Sequence, residues 1–441
     1  MGLTSIEMTR FLLSLLTLLV AANVLGYLAE RLTVPRVIGE VAGGLVLGPT
    51  VFGHFAPDTF QWLYQGFPAQ EKLLGLVYQL GLIFLMFNSG LKFQPKFNRG
   101  DTSIGLAILA GSTVIPFAAG WVFTGFTNPA DLLGPAQSLL AFKIVVAISI
   151  AVTSIPVISK ILFDLGVMHT RFAKLMVAVA GIHDTLLWVG LALAAGLAGA
   201  ESHQGIATVL RSTGATFGLI AVCLLVLPRV LRLINGNRFN ILVRASFLGY
   251  ILAILLMLAL LAGYLGVDVM FGALLAGIAV KLAFPEHLFD RVENSIREIS
   301  FSFFIPLYFA MVGLQLDLAR QCPLGFFLLY LLFATAVQGT VVYLTCRLLH
   351  LDRLTSMNLA AAMNARGGPG IVLSTVAFSL GLISEPFFAV LVMLALVTSW
   401  MAGSWLRFVV KTGRPLMPGD EKVAAVKPQE EVTLDAVPSV K

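Results

Sequence analysis

Few side chains in this sequence are equipped for chemistry, and one carboxylate stands apart. Asp184 follows Gly181, Ile182 and His183 in an apolar run, with no formal charge between it and Lys174 on one side or Glu201 on the other. At the centre of a membrane, a carboxylate costs about 2.5–3.5 kcal/mol on insertion scales, so it needs a proton, a cation or a guanidinium. Desolvation favours the protonated form and a nearby cation favours the ionised one, so such a group can exchange a proton for a metal cation. The alternative is a permanently protonated or salt-bridged Asp that packs two helices. Its neighbour His183 points about 100° away on a helix; it is either a second proton carrier and pH sensor or a hydrogen-bonded structural group. Arg366 is the one basic residue well inside an apolar segment. It must meet a carboxylate or the carbonyls of a broken helix, and it can balance charge when a cation site is empty. Glu40, near the end of the second apolar segment, is an accessory candidate that either snorkels or meets a loop arginine.

The elements that must carry these residues are membrane helices. The chain has 441 residues, 58% of them hydrophobic and 12% charged, with a mean hydropathy of +0.92. Soluble domains carry about 25% charged residues, so an ordinary soluble domain is excluded. Long continuous apolar runs, without in/out alternation over roughly ten residues, exclude a membrane barrel and predict an all-α polytopic protein. Breaks at Pro, Gly and charge clusters give about thirteen spans. The first, from Phe11 to Ala29, is too long for a signal-peptide core. Lys and Arg pile up in alternate loops, with only Arg10, Lys72, Lys143, Arg211 and Arg320 on the other side. The net charge of +6 is therefore loop charge rather than a nucleic-acid surface, and it predicts the N-terminus outside and the C-terminus in the cytoplasm of a cell membrane. Cys223, Cys322 and Cys346 lie in apolar stretches without metal-ligand spacing and read as buried thiols. The transmembrane domain is expected over 1–413. Residues 414–441, rich in Pro, Glu, Lys and Val, are expected to be a disordered cytoplasmic tail without a dinucleotide-binding fingerprint.

Two spans should be interrupted. The fifth, about 138–162, contains Thr153, Ser154 and Pro156 in mid-run, and the twelfth, about 355–381, contains Gly367, Gly368, Pro369 and Gly370. Pro removes a backbone donor and Gly weakens a helix by about 1 kcal/mol, and irregular backbone survives in a bilayer only where protein or a wet cavity serves its polar groups. A weak repeat, Ile83–Phe93 on Pro306–Leu316, superposes Gly90-Leu91 on Gly313-Leu314 in spans 3 and 10, which run in opposite directions. Interrupted helices in corresponding positions of inverted halves point to a midplane ion site, with Thr153, Ser154 and nearby carbonyls lining it.

On these residues the sequence resembles the monovalent cation:proton antiporter-2 family, the Kef-like and NapA-like sodium or potassium/proton exchangers. PRVIGEVAGGLVLGP at 35–49, LIFLMFNSGLKF at 82–93 and FFIPLYFAMVGLQLD at 303–317 are similar to its second, third and tenth helices. TSIPVISKILFDLGVMHTRFAKLMVAVAGIHD at 153–184 and NARGG at 364–368 are similar to its first broken helix with the ion-binding helix and to its second broken helix. The resemblance implies NhaA-like inverted repeats with two crossing broken helices and a homodimer. It also implies an ion-carrying core, here about 72–198 and 299–381, moving against a scaffold, and a cation-binding carboxylate at Asp184. It implies no cofactor beyond the transported Na⁺ or K⁺ and H⁺, and lipid as the surroundings. Three positions depart from the family's pattern. His183 replaces the usual Asp, Asn or Gln, Gln338 stands where electrogenic members have lysine, and Gly367-Gly368 follow Arg366 where Kef-like members often have Gly-Glu. One carboxylate is then left to alternate between one proton and one cation, which favours electroneutral exchange. A potassium-efflux channel and a sodium-coupled organic-anion symporter on the same scaffold remain as alternatives. An intramembrane protease is disfavoured, since it needs a second facing carboxyl.

Overall fold

A computed structural model describes residues 3–32, 34–91, 101–127, 131–201, 218–235, 241–265, 269–284, 294–318 and 322–420, with Gly214 and Val267. The side chains of some helical residues, among them Pro156 and Asp184, lie outside the description. The principal helices are α1 (Ser5–Arg31), α2 (Arg36–Leu47), α3 (Gln70–Leu91), α4 (Thr102–Phe123), α5 (Leu139–Ala151), α6 (Ile155–Asp164), α7 (Arg171–Glu201) and α8 (Leu227–Asn235). They continue with α9 (Phe247–Tyr264), α10 (Val269–Ala283), α11 (Ile305–Leu314), α12 (Leu324–Leu348), α13 (Arg353–Met363), α14 (Gly367–Ser379) and α15 (Glu385–Lys411). Among the described residues no strand forms, and nine helices are long and apolar enough to cross a membrane unaided. Their starts are local sequence decisions. Thr4, Ser138, Ser154, Ser246 and Asp352 each offer a side-chain oxygen to a first-turn N–H, as helix N-caps do.

The helices pack as two bundles. One contains α1, α2, α3, α9, α10 and α11; the other contains α4, α5, α6, α7, α12, α13, α14 and α15. This grouping differs from the one expected from the sequence. The helices of spans 3 and 10, α3 and α11, pack with α1, α2 and α10, whereas α15 packs on α13 and α14. Small residues are the reason. A Cβ on Gly90 would stand 2.2 Å from the Leu274 carbonyl oxygen of α10, and one on Gly313 would stand 2.0 Å from the Val41 carbonyl oxygen of α2. The two glycines of the internal repeat thus both mark close helix crossings, the contact by which membrane helices associate without a hydrophobic driving force. Away from these contacts, Leu12, Leu16, Val20 and Val24 of α1 and Leu328 and Leu332 of α12 point outward, as lipid-facing positions do.

The expected free tail begins later than the sequence indicated. Residues 414–420 lie against the second bundle, with Leu416 and Met417 buried in its core. The Asn358 side-chain amide donates to the Leu416 carbonyl at 3.0 Å, and the Arg171 backbone N–H donates to Asp420 at 2.8 Å. An apolar pair followed by an acid suited to a helix N-terminus is enough to dock this stretch. Residues 421–441 lie outside the described residues. Of the cysteines, Cys223 and Cys346 are buried as expected, whereas Cys322 is half-buried.

Candidate functional site

Both predicted interruptions are present, and they meet. Span 5 ends as α5 at Ala151 and resumes as α6 at Ile155; span 12 ends as α13 at Met363 and resumes as α14 at Gly367. Pro156 sits in the first turn of α6, where a missing N–H costs nothing. The two linkers hydrogen-bond to each other. Ser154 N–H donates to the Ala365 carbonyl at 2.7 Å, and the Thr153 hydroxyl donates to the Met363 carbonyl at 2.6 Å. The Ser154 hydroxyl turns the other way and accepts from Val157 N–H at 3.3 Å. Gly367 has φ +28°, and a Cβ there would lie 2.0 Å from Val157 Cγ2, so only glycine allows the second break to sit against the first. Its N–H donates to the Ser399 hydroxyl of α15 at 2.9 Å. Gly368 and Pro369 continue the same buried turn.

Arg366 fills the centre of the crossing and is 1% exposed. Its Nε donates to the Ser149 carbonyl at 3.0 Å and its Nη2 to the Ile150 carbonyl at 3.1 Å, both at the C-terminal end of α5. Nη2 also reaches the Ala334 carbonyl of α12 at 3.0 Å, and Nη1 reaches the Asn364 Oδ1 at 3.1 Å. A helix C-terminus carries a partial negative charge and orphan carbonyls, and the guanidinium answers both. Of the two partners offered for Arg366 on sequence grounds, the described residues provide the carbonyls.

His183 and Asp184 lie midway along α7, which packs on α4, α5 and α6. The Asp184 side chain is outside the described residues. His183 is buried, with Nε2 3.0 Å from the hydroxyls of Ser112 and Thr113 on α4. Each hydroxyl has one proton and places it on its own helix, Ser112 on the Ile108 carbonyl at 2.5 Å and Thr113 on the Leu109 carbonyl at 2.7 Å. The imidazole therefore donates from Nε2 and keeps its lone pair on Nδ1, which is buried without a partner among the described residues. The sequence reading missed Ser112 and Thr113. Two adjacent hydroxyls just before Pro116 in an apolar span were the available signal. Gln338 is fully buried on α12, one turn from Ala334, and neither of its amide atoms has a partner among the described residues. Glu40 does not snorkel. It is 3% exposed and pairs with Arg36, one turn earlier on α2, at 2.8 Å.

Between the bundles runs a cavity of about 460 Å³. Glu30, Arg36, Lys160 and Arg297 line its charged end; Val157, Gly368, Pro369 and Val372 line the end beside the crossing. Lys160 of α6 and Glu30 of α1 form an ion pair across it at 3.1 Å. One cavity thus borders both the charged side chains and the interrupted helices.

The family model described as sodium/hydrogen exchanger, transmembrane, matches residues 15–412. The chain belongs to this family. The match extends over nearly all of the helices long and apolar enough to cross a membrane, as a multi-pass membrane protein requires. The chain is 27% identical over 430 residues to Cation/H(+) antiporter 17 of Arabidopsis thaliana, covering 94% of this chain and 50% of the relative. It is 27% identical over 393 residues to Na(+)/H(+) antiporter NhaS4 of Synechocystis, covering 88% of this chain and 94% of the relative. The Na(+)/H(+)-K(+) antiporter GerN of Bacillus cereus is 24% identical over 403 residues, covering 90% and 96%. The chain spans about half the length of the plant relatives it matches. Its fold matches that of the sodium proton antiporter MjNhaP1 of Methanocaldococcus jannaschii with a TM-score of 0.61 at 16% identity, over 91% of this chain and 98% of the other.

Proposed function

We propose that this exchanger moves a monovalent cation, Na⁺ or K⁺, against H⁺ by alternating access, one for one and without net charge movement. Asp184 holds either the cation or the proton. Thr153, Ser154 and the exposed carbonyls of the breaks line the site, and Arg366 compensates charge when the cation has left. His183, with Nδ1 free to accept, tunes the dependence on pH. Gln338 and Glu40 are accessory groups, Glu40 on the wall of the cavity. The functional unit is a homodimer in the cell membrane, with the N-terminus outside and the C-terminus in the cytoplasm.

The observation that carries this reading is the cavity between two bundles that ends at two crossing helix breaks, beside the helix that bears Asp184. One carboxylate can hold one charge at a time, and the buried Gln338, at the position that is lysine in electrogenic members of the resembling family, supports electroneutral exchange. In proteoliposomes with an internal pH dye, Na⁺ or K⁺ added to the wild type should dissipate an imposed ΔpH, at a rate indifferent to a clamped membrane potential. Asp184→Asn should abolish the signal for both cations. Exchange at the wild-type rate in that variant would remove Asp184 from the mechanism; a rate that follows the potential would refute electroneutrality.

A further inference from the structure

Three hydroxyl side chains lie on the helices that wall the cavity, outside its lining and between the two bundles. On α3 the lining residues Leu85, Met86 and Ser89 are followed, two turns away from the charged rim, by Tyr78. On α14 the lining residues Gly368, Pro369 and Val372 are followed, one turn further from the rim, by Thr375. On α11 the lining residues Ile305 and Phe309 bracket Tyr308. The Tyr308 hydroxyl donates to the Thr375 hydroxyl at 3.2 Å, and the Tyr78 hydroxyl converges on the same threonine. The two phenol rings lie 5.1 Å apart. Tyr308 is 0% exposed and Thr375 2%.

Tyr78 and Tyr308 belong to the first bundle and Thr375 to the second, so this contact spans the same cleft that lies open at its charged end. We propose that Tyr78, Tyr308 and Thr375 are the seal that keeps the site from the side opposite the Arg- and Lys-rich rim. The Tyr308–Thr375 bond must then break for the bundles to slide and expose the site there. The inference rests on the alternating-access reading. A buried polar bond suits a seal of this kind because it satisfies groups that hydrocarbon cannot, yet its net contribution is small enough to be broken and remade in each cycle.

Side-specific labelling tests the seal. Ser89→Cys, which lines the cavity, is placed in a background with Cys223, Cys322 and Cys346 replaced by alanine. It is probed with a charged, membrane-impermeant methanethiosulfonate from either face of oriented vesicles. With the seal intact, labelling should come from the charged-rim side. Thr375→Val and, separately, Tyr308→Phe should raise labelling from the opposite side about two- to tenfold, the factor by which loss of one buried hydrogen bond shifts the equilibrium, and slow it from the charged-rim side by less. Tyr308→Phe keeps the ring, so it remains informative if Thr375→Val folds poorly. Unchanged labelling from both faces in both variants would overturn the proposal. Because labelling needs no transport, a chain that exchanged no ions but showed this shift would refute the antiport reading and leave the seal standing.

Discussion

The two helix breaks are built on the same plan but carry unequal charge. In the first, residues 152–154 offer two hydroxyls and no ionised group; in the second, residues 364–366 carry a guanidinium. Arg366 serves its own helix end only through Nη1, which donates to the Asn364 side chain at 3.1 Å and more weakly to the Asn364 carbonyl at 3.4 Å. It reaches across to the Ser149 and Ile150 carbonyls at the C-terminal end of α5. At the corresponding end of α13 the Met363 carbonyl receives a neutral hydroxyl, from Thr153, and the Ala365 carbonyl beyond it a neutral N–H, from Ser154. The inverted repeat is thus symmetric in backbone and asymmetric in electrostatics. One half-helix terminus takes two strong bonds from the guanidinium at its main-chain carbonyls, and the other takes a single weak one and so keeps more of its partial negative charge for a cation to meet. A site with both termini neutralised would bind a cation weakly, and a site with neither would bind it too tightly to release.

The largest effect is expected at the neutralised end. Arg366→Leu strips the donors from the buried Ser149 and Ile150 carbonyls at the end of α5, and each orphaned buried acceptor costs about 1–3 kcal/mol. The thermal midpoint of the detergent-solubilised protein should fall by several degrees and exchange should disappear. Arg366→Lys keeps the charge but cannot span the same fork of acceptors. It should regain stability only in part, and if it matched the wild type in both measurements, charge alone rather than the five-donor geometry would be the function of this residue.

The asymmetry is partly legible in the sequence. Thr153, Ser154, Pro156 and the Gly367–Gly370 run announce their breaks because hydroxyls, proline and clustered glycine are out of place in a bilayer-spanning helix. Arg366 announces itself by depth. The pairing is not legible there: that Arg366 binds α5, that Thr153 binds Met363, and that Gly367 must yield to Val157 are facts of tertiary approach between segments some two hundred residues apart. The same limit explains why the bundle membership of α3, α11 and α15 differs from the expected one. Apolar periodicity tells which residues can lie in lipid, but it says little about which helix an all-apolar helix packs on. The docking of 414–420 is hidden for a related reason, since two apolar residues and one aspartate are too short a signal against a Pro- and Lys-rich background.

An intermediate effect is expected where the two breaks touch without charge. Gly367→Ala places a methyl 2.0 Å from Val157 Cγ2 at a positive φ, and overpacking of that kind costs about 1–3 kcal/mol. Val157→Ala in the same chain should return part of the loss. The double-mutant cycle, read in thermal midpoints, should give a favourable coupling of about 0.5–3 kcal/mol. Strictly additive losses would mean that the strain lies in the backbone of the second break alone and that the crossing does not depend on fit between the halves.

The smallest effect belongs to the terminus that the guanidinium touches only weakly. Thr153→Val keeps the shape and removes one hydrogen bond, from the hydroxyl to the Met363 carbonyl, worth about 0.5–1.5 kcal/mol net. The crossing itself should survive, because Ser154 N–H still donates to the Ala365 carbonyl and no side-chain substitution removes that backbone bond. The α13 terminus then has one more bare carbonyl facing the site. Thr153→Val should lower stability slightly and change the apparent affinity for the cation more than the maximal rate, whereas Thr153→Ser should restore both. A loss as large as that of Arg366→Leu would mean that the two termini depend equally on their partners, and that the electrostatic asymmetry of the breaks has no consequence for transport.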